Sequence, residues 1–349
     1  MSAVSFRNVS KIYGTSVKAL DDVTLDIPTG ELVALLGSSG CGKTTLLRCV
    51  AGLEQPTTGQ VLIDAQDMTH LPARRRPIGM VFQSYALFPN MTVRQNVGFP
   101  LKIRQRPQRM IDDRVEELLD LVQLRPQADR YPNQLSGGQQ QRASLARSLA
   151  ASPQVLLLDE PLSALDALVR HQLRDEIRRI QQTLKITTLF VTHDQAEAMA
   201  IADRVAVMSH GKIEQLANPY ELYEAPATRF SASFIGNRNA LELPVSQGRV
   251  RLGHALDVPA PDVNGSGRAL VFFRPEDVEF SNNGIGHPAT VENKIFQGVL
   301  TRLYLNLEHE GGLARLYADL PTRQALPLNP GNQVKIYINP NGVRVFAAD

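Results

Sequence analysis

Short apolar runs recur along the chain up to about residue 235, and stretches with apolar residues at helical spacing alternate with them. Leu32–Leu36, Val155–Leu158 and Thr188–Val191 are such runs, while Thr45–Val50 and Gln140–Ala151 have the helical pattern. Strands alternating with helices predict a layered α/β domain. After Ile235 the texture changes. Ala269–Phe273, Val299–Leu305 and Val334–Ile338 are short apolar stretches separated by Gly, Pro and Asn clusters, which predicts an all-β module. The segment Asn218–Arg238, with Pro219 and Pro226, is the expected connector. Asn339-Pro340-Asn341-Gly342, lying between two apolar runs, is expected to turn a hairpin.

The length of 349 residues suits one very large domain or two ordinary ones. At 43% hydrophobic and 21% charged residues, the composition excludes a disordered or collagen-like chain. The net charge is 37 minus 35, or +2. Residues 1–240 carry 27 minus 24 and residues 241–349 carry 10 minus 11, so neither part has the excess that nucleic acid would require. The basic stretches Arg74–Arg76 and Lys102–Arg109 lack interleaved aromatics and are expected to be solvated faces. No apolar run reaches the length of a spanning helix, and the N-terminal stretch shows no secretory pattern. Two cysteines, Cys41 and Cys49, make neither a disulfide framework nor a CxxC site, so a reducing, cytosolic setting is expected.

Residues 37–44 read Gly37-Ser38-Ser39-Gly40-Cys41-Gly42-Lys43-Thr44, a GxxxxGK[ST] phosphate loop between an expected strand and an expected helix. Glycines permit the tight backbone, amides and a helix N-terminus face phosphates, Lys43 reaches terminal phosphates and Thr44 can ligate Mg²⁺. A glycine-rich turn that merely caps a helix is the plainer alternative. Cys41 is either a modifiable thiol or, as favoured, a small residue contributing its backbone. Cys49 is expected in a helix core. Asp159-Glu160 ends the run Val155–Leu158, and acids there need charge or hydrogen bonds. Asp159 is the better candidate for a metal and Glu160 for a base, because successive strand side chains point to opposite faces. Leu135-Ser136-Gly137-Gly138-Gln139 precedes a helix and makes a second glycine-flanked N-terminus, which alone is weak evidence for a ligand.

Together these residues resemble the ATP-binding cassette family. The match covers Gly37–Thr45, the Leu-Ser-Gly-Gly-Gln signature at 135–139, Val155–Glu160, and His193 within Thr192-His193-Asp194. It extends to Tyr13, to Gln83 in Val-Phe-Gln-Ser-Tyr, and to Ser163-Ala164-Leu165-Asp166. The resemblance implies an α/β P-loop cassette over residues 1–235, with a helical subdomain at about 84–150. Residues 236–349, including Phe273-Arg274-Pro275-Glu276-Asp277, resemble the oligonucleotide-binding-like barrel (the TOBE domain) of one importer subgroup. The barrel label is an analogy of fold and implies no nucleic acid.

Carried onto this chain, the resemblance implies that Tyr13 stacks on adenine. It implies that Gly37, Ser38, Ser39, Gly40, Cys41, Gly42, Lys43, Thr44 and Thr45 hold the phosphates, and that Thr44, Gln83 and Asp159 arrange Mg²⁺. Glu160 would polarise the attacking water and His193 would contact the γ-phosphate, with Lys43 beside it. Ser136, Gly137, Gly138 and Gln139 would close over the ATP of a second copy, with Asp166 between subunits. The other six histidines show no metal-ligand spacing and are expected to be structural or surface residues. Tyr85-Ala86-Leu87-Phe88-Pro89 is either core or, as favoured from the resemblance, the place where Tyr85 and Phe88 would receive a helix of a membrane subunit.

The implied protein is an ATP-hydrolysing importer subunit, a homodimer peripheral to the cytoplasmic face of the inner membrane. Its implied partners are two permease subunits and, through them, an extracytoplasmic solute-binding protein. Polyamine is the leading cargo, with phosphonate, ferric iron and sulfate as alternatives. The rival classes are a soluble cassette ATPase acting on nucleic acid or ribosomes, and a non-hydrolysing regulatory module.

Overall fold

The computed structural model describes residues 2–260, 267–281, 286–309 and 312–348. The chain divides into two compact units, Met1–Tyr220 and Glu221–Asp349. The first begins with a long antiparallel pair, β1 (Ser2–Tyr13) and β2 (Val17–Pro28), followed by β3 (Leu32–Gly37) and helix α1 (Lys43–Ala51). Next come β4 (Thr58–Ile63), β5 (Gln66–Asp67) and β6 (Ile78–Val81), then β7 (Val155–Asp159), β8 (Thr187–Thr192), β9 (Arg204–Ser209) and β10 (Lys212–Ala217). One sheet has the order β2-β1-β4-β5 and the other β10-β9-β3-β8-β7-β6.

In the second sheet β9, β3, β8, β7 and β6 run parallel, and β10 closes the edge antiparallel to β9. Every residue of β3, β7 and β8 is buried, which explains why these strands read as unbroken apolar runs without alternation. Leu46, Leu47, Cys49 and Val50 of α1 share one core with Phe6 and Leu25 of the antiparallel sheet and Leu35, Leu157 and Leu189 of the parallel one. The three main strands end together on the side where the phosphate loop, Asp159 and Thr192 emerge, as parallel α/β sheets place their ligand crevices.

Between β6 and β7 lie α2 (Val93–Ile103), α3 (Gln108–Leu121) and α4 (Gly137–Leu149). Thr92 and Gln95 start α2 with a reciprocal capping box. Gly98 lets α3 approach, since a Cβ there would lie 3.1 Å from Ile111 Cγ2. Helices α5 (Ala167–Leu184) and α6 (Gln195–Ile201) flank β8 in sequence.

One basic stretch departs from expectation. Residues 102–109 are exposed, and so are Arg74 and Arg75, but Arg76 is only 2% exposed. Its guanidinium donates to the carbonyls of Cys49 (2.6 Å), Val50 (2.8 Å), Leu71 (2.9 Å) and Thr69 (3.3 Å). The cation thus satisfies the last carbonyls of α1 at the negative end of its dipole. Gly52 leaves it room, because a Cβ there would stand 2.5 Å from Arg76 Nε.

The second unit is a β structure. Its strands are β11 (Asn239–Ser246), β12 (Arg249–Leu252), β13 (Leu256–Pro259), β14 (Arg268–Phe273) and β15 (Val278–Phe280), then β16 (His287–Phe296), β17 (Leu300–His309), β18 (Gly312–Pro321), β19 (Gln333–Ile338) and β20 (Arg344–Ala347). They form two antiparallel sheets, β13-β12-β11-β14-β20 and β15-β19-β16-β17-β18, around one core containing Leu243, Val271, Leu303, Leu316 and Ile336. The expected 339–342 hairpin is not formed. β19 pairs with β15 and β16 whereas β20 pairs with β14, so this turn carries the chain from one sheet to the other. Asn339 caps the turn by accepting from the Asn341 amide at 3.1 Å, and Pro340 sets its first residue in a single 3₁₀ turn.

The division at Tyr220 lies ahead of the expected domain boundary at residue 235. Arg274, 4% exposed, donates to the carbonyls of Ile235 and Tyr223, both at 2.7 Å, and its guanidinium carbon lies 3.6 Å from the Tyr223 ring centroid. The expected connector is therefore bound into the β unit, with short helices at Pro219–Glu224 and Arg229–Phe234. Among the described residues, no helix is long and apolar enough to cross a membrane.

Candidate functional site

The loop between β3 and α1 is shaped by its glycines. Gly40 and Gly42 have φ of 81° and 106°, values that side-chain-bearing residues rarely adopt, and a Cβ on Gly42 would meet the Ala19 carbonyl at 2.5 Å. A Cβ on Gly37 would meet the Met208 carbonyl at 2.4 Å. Lys43 folds back beneath the loop and donates to the carbonyls of Gly37 (2.7 Å) and Ser38 (2.9 Å). The Cys41 thiol is buried 3.8 Å from Lys43 Nζ, as suits a small packing residue, while Ser38, Ser39 and Gly40 face outward. Thr44, Thr45 and Glu160 line the same cleft as Ser39, Gly40, Gly42 and Lys43. Tyr13 lies outside that lining, 39% exposed at the end of β1, with Lys11 Nζ 5.0 Å from its ring centroid.

Asp159 ends β7 and is 8% exposed; Thr44 Oγ1 donates to its Oδ1 at 3.2 Å. Burial pushes its pKa up, opposed by the Thr44 hydrogen bond and the charge of Arg48. A desolvated carboxylate beside a hydroxyl suits a hard cation. Among the described residues no cluster of three or more His, Cys, Asp or Glu is placed to hold a metal, so a cation here would complete its shell with other oxygens such as those of amide, phosphate or water.

Glu160 has a φ of 44°, an uncommon backbone conformation for a residue with a side chain. Its amide stays tied to the Val191 carbonyl at 3.1 Å, and the kink turns its side chain into the cleft. Glu160 Oε2 lies 3.5 Å from His193 Nδ1 and accepts from Gln83 Nε2 at 3.3 Å. Gln83 also approaches Ser163 Oγ at 3.4 Å. Its amide NH₂ is thus engaged by the Glu160 carboxylate and the Ser163 hydroxyl.

The signature residues are built separately. Ser136 and Gln139 form a reciprocal capping box: the Ser136 hydroxyl accepts from the Gln139 amide at 3.3 Å, and Gln139 Oε1 accepts from the Ser136 amide at 3.0 Å. Gly137 and Gly138 open α4, and a Cβ on Gly138 would lie 2.9 Å from Val169 Cγ1. Ser136, Gly138 and Gln139 line a second cleft with Arg142, which shares no residue with the phosphate-loop cleft.

Tyr85 departs from expectation. Its side chain is buried, and Tyr85 and Ala86 adopt φ of 60° and 48°. Ser144 of α4 donates to the Tyr85 carbonyl and Arg147 to that of Ala86, both at 2.8 Å. A buried ring cannot anchor a surface partner. Phe88, 37% exposed, stays at the surface with its ring centroid 4.4 Å from that of Phe99.

Sequence reasoning also passed over Arg170 and Glu197, which surround His193. Glu197 is 7% exposed, accepts from Thr192 Oγ1 at 2.7 Å, and has its pKa raised by burial. Asp194 accepts from the Ala196 and Glu197 amides. The Asp-x-x-Glu spacing of a helix start was the available signal.

A family model described as "ABC transporter" matches residues 20–163, and one described as "TOBE domain" matches residues 271–346. The chain is 46% identical to the sulfate/thiosulfate import ATP-binding protein CysA of Synechocystis sp., over 99% of this chain and 95% of that protein. It is 45% identical to CysA of Bordetella parapertussis, over 99% of each. It is 43% identical to the Fe(3+) ions import ATP-binding protein FbpC 1 of Pectobacterium atrosepticum, over 99% of this chain and 97% of that one. Among solved structures, it is similar to the dimeric ATP-binding cassette MJ0796 in a post-hydrolysis state bound to ADP and Pi. The TM-score is 0.55 at 34% identity, covering 62% of this chain and 98% of that one.

Proposed function

This chain belongs to the ATP-binding cassette transporter family as the ATPase subunit of an importer, and we propose that it powers uptake of sulfate or thiosulfate. The observation that carries the site assignment is the convergence of Glu160 on both the phosphate-loop cleft and His193. Lys43, Thr45 and the amides of residues 37–44 hold the phosphates, and Tyr13 stacks on adenine from the edge. Thr44, Asp159 and Gln83 would hold Mg²⁺, which would neutralise phosphate charge when bound. Glu160 orients the attacking water and takes its proton as the new P–O bond forms. The bond from the γ-phosphorus to the bridging oxygen breaks, and ADP leaves with that electron pair. His193 donates to the γ-phosphate.

The separation of the two clefts supports a head-to-tail homodimer, in which Ser136, Gly137, Gly138 and Gln139 of one copy close over the ATP of the other. Ser136→Arg is then expected to leave ATP binding by a single copy within about twofold. It should weaken ATP-dependent dimerisation on the order of 30-fold, an interface loss of about 2 kcal/mol. Nucleotide titration together with size-exclusion chromatography checks this, and loss of single-copy binding would place the signature in the chain's own site.

The subunit works at the cytoplasmic face of the membrane, beneath two permease subunits fed by a solute-binding protein. The relatives described above carry the names of sulfate/thiosulfate and ferric iron import and lend no support to polyamine. Sulfate or thiosulfate is preferred because the relatives at 46% and 45% identity are so named, with ferric iron the second reading through the relative at 43%. Deleting the gene should abolish uptake of labelled sulfate, and the intact chain but not Glu160→Gln should restore it. Loss of labelled ferric iron uptake with sulfate uptake intact would select the second reading.

A further inference from the structure

Arg170 lies on the first turn of α5, just beyond the 163–166 turn that follows Glu160. Three contacts leave its guanidinium. Nη2 donates to the Leu165 carbonyl at 3.0 Å, Nη1 lies 3.6 Å from Asp194 Oδ2, and Nε lies 3.6 Å from Glu197 Oε1. The first contact belongs to the turn after Glu160, and the other two to Asp194, which follows His193, and to Glu197 in the first turn of α6. Glu197 in turn receives the Thr192 hydroxyl, and Thr192 Oγ1 accepts the Asp194 amide at 3.0 Å. His193 is therefore flanked on both sides in sequence by residues of this network, while its own ring faces Glu160. Glu160, Ser163, Arg170, Thr192, His193 and Glu197 meet around one small polar cavity.

We infer that Arg170 is a positioning residue that sets the spacing of His193 from Glu160 by bracing the turn after Glu160 against the segment after His193. This rests on the assignment of Glu160 and His193 to the hydrolytic site. Arg170 lines neither the phosphate-loop cleft nor the signature cleft. A guanidinium suits the task because its planar fork meets a carbonyl and two carboxylates at once, which a lysine ammonium cannot do in the same geometry. The two ion pairs are long, and Nε is buried without a hydrogen-bond partner. The brace is thus an electrostatic hub between two carboxylates rather than a saturated lock. A displacement of about an ångström between reacting groups is enough to cost on the order of 100-fold in rate.

The test uses the full chain and follows phosphate release and equilibrium ATP binding. Arg170→Met is expected to lower kcat on the order of 10-fold with KM for ATP and ATP affinity within about twofold, and Arg170→Lys to recover part of the loss. Glu197→Gln should also lower kcat, and the double variant should be no slower than the slower single one, because both act through the same brace. Losses in kcat that multiply, an Arg170→Met chain with normal kcat, or a change confined to KM would each overturn the inference. Should Arg170→Met fail to fold, the cycle built on Arg170→Lys and Glu197→Gln reads the same coupling. His193→Ala separates a failed brace from a failed site assignment. Normal hydrolysis in that variant would sink the site assignment itself, whereas a slow His193→Ala beside a normal Arg170→Met would sink only the brace.

Discussion

Glu160→Gln should leave ATP affinity within about twofold and slow phosphate release by roughly 10²- to 10⁴-fold, the range a positioned general base contributes. The amide has the carboxylate's shape, so it keeps the side chain in the cleft, and the φ of 44° places no new demand on Gln. What disappears is the acceptor for the proton of the attacking water. Nucleotide binding and chemistry then separate, and the ATP-bound dimer should accumulate rather than turn over. Nucleotide titration, single-turnover phosphate release and light scattering read the three quantities on one sample. Near-normal turnover would remove Glu160 from the base role and leave His193 or a phosphate oxygen to accept the proton.

Arg76→Met should destabilise the cassette unit by about 3 kcal/mol, because buried carbonyls lose their donor. Four carbonyls lose a charged donor together, and each buried unsatisfied acceptor costs about 1–3 kcal/mol. Relief of the guanidinium's own desolvation offsets part of that sum. Arg75→Met, one position earlier and exposed, should stay within about 0.5 kcal/mol. A two-unit chain need not unfold in one step, so the measurement is a urea titration followed by a probe in the first unit, reading the midpoint at constant slope. Equal midpoints for the two variants would show that the carbonyls find other partners.

The contrast between those neighbouring arginines shows where the sequence was readable. Strands β3, β7 and β8 were plain because burial on both faces leaves a continuous apolar run. The phosphate loop was plain because its backbone admits glycine at fixed places. Arg76 was opaque because a basic triplet looks solvated whichever member turns inward, and its partners are backbone carbonyls contributed partly by α1, far earlier in the chain. The 339–342 turn failed for a related reason, since Asn-Pro-Asn-Gly announces a reversal but does not say which strand the chain joins afterwards. Tyr85 reads as a surface anchor or as core in the sequence, and in the fold its ring is buried and its backbone left-handed. The cargo was least readable, because the groups assembled around the phosphate loop have a nucleotide to recognise and not a solute.

The lack of any shared residue between the signature cleft and the phosphate-loop cleft reaches beyond the single molecule. If turnover needs two intact copies, a defective chain made alongside the normal one does more than go idle, because it occupies normal partners. With equal synthesis and random pairing, only roughly a quarter of the assemblies would contain no defective member. Lesions that spare dimerisation but stop hydrolysis would then behave as dominant in a cell carrying both genes, whereas lesions that prevent pairing would be recessive. A chemical site split over two copies would thus set the genetics of the transporter as well as its mechanism.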